Sequence, residues 1–200
     1  MRVLGIDPGS RLMGYGVVEQ REGRDLHVCH GVLKVDPDAT LESRLHTLFE
    51  GLDAILSRYR PDAVAVEGVF TMKNARSALI LGHARGVALL AASRAGLPVH
   101  EYAPSKVKRA VGAGGADGKD AVARMVARLL AMPEVVEAKA DATDALAIAI
   151  CHLSHAKVGA RLSATASSSS PPSRGKSRSA RAFSHLADRL APAYQRNGDT

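Results

Sequence analysis

The first 34 residues hold three short apolar runs joined by glycine-bearing turns, and only after them does the hydrophobic spacing change from two to between three and four. Residues 2–7, 14–20 and 27–34 read as consecutive strands of an antiparallel meander. The next segment, TLESRLHTLFEGLDAILSRY over 40–59, repeats Leu41, Leu45, Leu48, Leu52, Ile55, Leu56 and Tyr59 at helical spacing and stops at Arg-Pro-Asp. AVAVEG at 63–68 predicts a short buried strand. NARSALILGHARGVALLAASRAG predicts a helix, PVHEY a final strand, and helices follow around 104–111, 118–131 and 141–155. Three strands, a helix, then strand, helix and strand give an α/β fold, a mixed five-stranded sheet covered by helices.

Two hundred residues with 46% apolar content suffice for one domain and an appendage. The longest apolar run, Ala145 to Cys151, falls far short of the roughly 20 residues of a membrane span. No segment resembles a secretion signal, so the expected location is the cytoplasm and no membrane partner is expected. Cys29 and Cys151 lie far apart without metal-type spacing and read as reduced thiols.

The net charge of +7 is informative once divided. From Lys157 onward eight basic residues face two acids, which leaves residues 1–156 at +1. The boundary expected is therefore a folded domain over 1–156 and a basic, Ser-rich tail over 157–200, whose SATASSSSPPSRGKSRSARAFS stretch holds too few apolar residues to repay ordering. Such a tail either adds nonspecific affinity for nucleic acid or simply keeps the chain soluble.

The carboxylates carry the chemistry. Asp7 ends the first strand ahead of Asp-Pro-Gly, and Glu67 ends the fourth. If those strands are neighbours, both acids emerge at one edge. Asp141 and Asp144, three apart at the start of an apolar helix, share one face. Each has a plainer explanation: Asp7 as a turn residue, Glu67 as an ordinary strand end, the Asp141–Asp144 pair as a helix cap. Yet four acids at three buried element ends would repel one another unless divalent cations neutralised them, and Mg²⁺ or Mn²⁺ prefers such oxygen ligands. Two such ions about 4 Å apart serve in-line displacement at phosphorus, which makes phosphodiester hydrolysis the natural chemistry.

LGIDPGSRLMGYGV, VEGVFTMKNARSALILGHARGVAL and ADATDALAIAICH resemble, in this order, the RuvC crossover-junction endodeoxyribonucleases, Holliday junction resolvases with a ribonuclease-H-like fold. The resemblance covers residues 1 to about 156. It implies that Asp7, Glu67, Asp141 and Asp144 are the metal-binding catalytic acids, with two Mg²⁺ or Mn²⁺ ions per site. It further implies a homodimer that nicks four-way junction DNA symmetrically in recombination and repair, with the helix over Ala75–Ala92 as candidate dimer surface. It makes Phe70 the aromatic that stacks at the crossover, gives Lys108 and Lys119 phosphate contacts, adds Asn74 and Arg76 as DNA contacts, and suggests the branch-migration proteins RuvA and RuvB as partners. A buried core Phe and solvated helix faces would explain Phe70 and the lysines equally simply. Gly68 stands where the family carries larger polar residues, and the GAGGADGKD loop differs in length from some members.

Other motifs lead nowhere. AGGADGKD lacks the first glycine and the Ser or Thr of a phosphate loop, and GYGVVE completes no dinucleotide fingerprint. His152 and His155 share a helix face but no third ligand, so they read as structural. An actin-like ATPase would need a second domain that this length does not hold. A catalytically silent junction-binding module would not need four acids.

Overall fold

The computed structural model describes residues 1–68, 75–113, 119–132 and 140–167, with side chains of the last helix described to residue 159. The chain divides into Met1–Leu162 and Ser163–Thr200; of the second unit only 163–167 are described, as helix. Most of the expected tail lies outside the described residues.

Five strands, β1 (Arg2–Asp7), β2 (Leu12–Arg21), β3 (Arg24–Lys34), β4 (Ala63–Glu67) and β5 (Val99–Tyr102), form one sheet in the order β3-β2-β1-β4-β5. β1, β2 and β3 pair antiparallel as the expected meander, while β4 runs parallel to both β1 and β5. β2 and β3 extend further toward each other than their apolar runs suggest. Glu22 and Gly23, both at positive φ, close a two-residue turn whose twist matches that of the strands.

Strand periodicity sorts the core into two layers. Leu4, Ile6, Val64 and Val66 pack with helices α1 (Leu41–Tyr59) and α2 (Ala75–Arg94). Val3, Val18 and Ala65 pack on the opposite face with α3 (Pro104–Ala110), α4 (Lys119–Leu129) and α5 (Ala140–Ser167). α1 starts at Thr40, whose side chain accepts from the Ser43 amide at 3.5 Å, and ends where Arg60 turns left-handed ahead of Pro61. α5 is apolar nearly all round and correspondingly enclosed: residues 145–153 are all buried. It runs on to Ser167, beyond the expected end at 155. Beyond the buried stretch, Lys157 pairs with Asp25 of β3 at 3.0 Å.

Three glycines set how closely α5 approaches the sheet. A Cβ at Gly5 would strike the Ala145 carbonyl and lie 2.8 Å from the Ala149 amide; at Gly14 it would strike the Asp141 carbonyl; at Gly16 it would lie 2.8 Å from the Leu146 amide. At these three positions only backbone without a side chain fits beneath the helix.

Candidate active site

β1 and β4 are adjacent and parallel, with Val3 opposite Ala63 through to Ile6 opposite Val66. Asp7 and Glu67 follow that last pair, so both carboxylates leave the sheet at the same end on strands roughly 5 Å apart. Alternation decides which face they take. Val3 and Ala65 point into the α5 layer, and Asp7 and Glu67 have their parity. Both acids therefore face α5 rather than α1 and α2.

The start of α5 is brought to them by the glycine contacts. Asp7 is paired directly with Gly14 of β2, and Gly14 is the residue that lies against the Asp141 backbone. Asp141 and Asp144 occupy the first turns of α5, where the helix dipole favours negative charge. All four acids are half-buried. Next to them the Gly68 amide donates to the Tyr102 carbonyl at 2.9 Å, so β5 ends at the same edge and hands the chain to α3.

The donor set is made entirely of carboxylates, which suits a hard divalent cation rather than zinc or copper. Among the described residues, no group of three or more His, Cys, Asp or Glu side chains is already gathered to hold a metal ion. What is in place is the scaffold: three elements that deliver four carboxylates to one edge.

The remaining expected residues divide by location. Lys108 is half-buried on α3, and Arg76 is exposed on the first turn of α2, the helix that follows β4 from the acid edge. Phe70 and Asn74 lie outside the described residues, as does the side chain of Lys119, which opens α4. Sequence reasoning missed Gly5, Gly14 and Gly16. The Gly14-Tyr15-Gly16 stretch, set aside as no nucleotide loop, is a helix-packing surface; small residues recurring at alternate strand positions were the signal available.

Beside the site, β5 and α5 share a polar contact. The Tyr102 hydroxyl lies 2.8 Å from His152 Nδ1, His155 stacks on the Tyr102 ring, and the His100 and His152 ring centroids are 4.4 Å apart. Burial, reinforced by His100 and His155, lowers the His152 pKa to about 4, and burial raises that of Cys151 to about 11. His152 is thus a neutral structural histidine and Cys151 an unreactive thiol.

A meander of three antiparallel strands, a parallel fourth and fifth, and acids at the ends of the first and fourth define the class: a ribonuclease-H-like nuclease. The family model for the crossover junction endodeoxyribonuclease RuvC matches residues 3–152. A RuvC of Myxococcus xanthus is 63% identical over 196 residues, 98% of each chain. One of Trichlorobacter lovleyi is 53% identical over 153 residues, covering 76% of this chain and 85% of its own. The structure of T. thermophilus RuvC in complex with a Holliday junction substrate superposes with a TM-score of 0.73 at 35% identity, over 80% of this chain and 97% of that one. The chain belongs to the RuvC family, metal-dependent endonucleases that hydrolyse phosphodiester bonds. No helix among the described residues is long and apolar enough to cross a membrane.

Proposed function

We propose that Asp7, Glu67, Asp141 and Asp144 are the catalytic acids and jointly hold two divalent cations, Mg²⁺ or Mn²⁺, for the cutting of four-way DNA junctions. The observation that carries this is the meeting of strand parity with the Gly14–Asp141 contact, which sends four carboxylates to one edge. Bound there, the cations supply neutralising charge and Lewis acidity for hydrolysis of a phosphodiester. The protein's own part is to hold the carboxylates on rigid elements, Asp7 and Glu67 on central strands and the aspartates on a buried helix. Lys108 offsets charge on the phosphate under attack. Arg76, Asn74 and Lys119 contact the DNA backbone, and Phe70 stacks at the crossover, roles that rest on the family resemblance.

A junction must be cut twice, which a two-fold dimer does with paired, symmetric nicks. α2 has the surface for it: Leu79 and Leu90 are 63% and 60% exposed, and the space over Gly82 and Gly86 between them is open. The enzyme acts in the cytoplasm, in recombination and repair beside RuvA and RuvB. Residues 1–156, with the continuation of α5 to Leu162 in the same compact unit, form its nuclease domain, and the rest of 157–200 is a basic appendage.

The test is cleavage of a labelled four-way junction beside a linear duplex of the same sequence, with Mg²⁺ or Mn²⁺, for wild type and Asp7→Asn. Paired nicks confined to the junction, abolished by the substitution while binding persists, are expected. Undiminished cleavage by Asp7→Asn would overturn the assignment, and binding without cleavage under either metal would leave a silent junction-binding module.

A further inference from the structure

The described surface holds an open groove of about 360 Å³ between α3 and α5, lined by Lys106, Arg109, Ala110, Ser154, His155 and Val158. Its surface is mostly apolar, its polar side chains are a lysine, an arginine, a serine and a histidine, and no acid lines it. Arg2, Arg85 and Lys157 each pair with a carboxylate, whereas among the described residues neither Lys106 nor Arg109 forms an ion pair. The Arg109 Nε donates only to the Ser105 carbonyl one turn back. Two uncompensated cations on one helix face, three residues apart, with a histidine and a serine opposite, make a concave electropositive surface suited to phosphate.

Its position says which phosphate. α3 starts directly after Tyr102, at the edge that carries Glu67, so one wall of the groove begins beside the acids. The other wall, at Ser154, lies ten residues along α5 from Asp144, or about 15 Å at the helical rise. That span corresponds to four or five steps of a duplex strand at about 3.4 Å each. Lys108 does not line the groove, so α3 presents cations on two faces.

We propose that the α3–α5 groove is a second DNA contact, in which Lys106 and Arg109 bind backbone phosphates of a junction arm about four to five base pairs from the scissile bond. This rests on the junction-cutting function given above. Binding of a labelled junction is measured in metal-free buffer over a series of salt concentrations for wild type, Lys106→Ala/Arg109→Ala, Lys106→Arg/Arg109→Lys and Arg21→Ala/Arg24→Ala. The last pair removes the same charge from the β2–β3 turn. The alanine pair in the groove is expected to reduce the slope of log affinity against log salt by about 1.8, the loss of two phosphate contacts. The conservative pair and the turn variant should keep the wild-type slope. An unchanged slope in the groove variant, or an equal fall in the turn variant, would overturn the proposal. Binding of inorganic phosphate to wild type without DNA, absent in the groove variant, together with an unchanged junction salt slope in that variant, would overturn it in favour of a free-phosphate site. A wild type that does not bind the junction would remove the underlying function as well; normal binding with an unchanged slope would remove only the groove.

Discussion

Adding one methyl group to Gly14 tests whether the acids are positioned by the α5 contact. The new Cβ would overlap the Asp141 carbonyl and lie 3.2 Å from the Ala142 amide. Ordinary contact requires a separation of about 3.5 Å, so the start of α5 must lift by about 1 Å or more. The strand cannot yield instead, because β2 is bonded on both sides, to β1 and to β3. Overpacking of this kind costs about 1–3 kcal/mol, a melting shift of roughly 3–10 °C for a domain of this size. A displacement of about 1 Å in catalytic groups costs about a hundredfold in rate. Gly14→Ala should therefore remain folded, melt somewhat lower, and cut a four-way junction about a hundredfold more slowly. Gly31→Ala is the matched comparison: its Cβ would meet the Tyr15 ring, a side chain, at 2.5–2.9 Å, on the strand farthest from the acids. It should lose comparable stability and keep its cleavage rate. Melting curves and single-turnover cleavage of both variants decide the matter. Wild-type cleavage by Gly14→Ala, or an equal loss in Gly31→Ala, would refute the claim that this contact sets the geometry.

Protonation of His152 opposes folding. Its folded pKa of about 4 lies below the ordinary 6.5, so the neutral form stabilises the fold above pH 6.5 and that stability is lost as pH falls toward 4, by at most about 3 kcal/mol. Melting of wild type against His152→Gln from pH 7 to 4.5 should show the steeper loss in wild type; parallel curves would remove His152 as the cause. Leu146→Ala, at a side chain 1% exposed between β2 and α5, should cost about 2–5 kcal/mol in denaturant unfolding. Leu90→Glu on the exposed face of α2 should leave the monomer's melting temperature within about 2 °C while dissociating the dimer in sedimentation. A variant that sediments as wild type would move the interface elsewhere.

The switch from strand to helix spacing, the two apolar runs ending in Asp7 and Glu67, and the apolar helix opened by Asp141 and Asp144 are local patterns, and side-chain periodicity is enough to read them. Strand order is different in kind. Nothing in residues 2–7 and 63–67 dictates that β4 should pair with β1; that parallel pairing, with α1 and α2 covering one face, is what puts two acids on one edge. The separation between sheet and α5 is decided in the same way: Gly14 and Gly16 at alternate strand positions mark a face that something can approach closely, but that α5 is what approaches is a contact between distant segments. Nor could the sequence join Lys106 and Arg109 to Ser154 and His155 across a groove, since the two helices lie far apart in sequence and are brought together by the core beneath them. The chemical type of each group is fixed by covalent identity, and so belongs to the sequence. Which groups act together depends on contacts between distant segments, and only packing of the whole chain decides those.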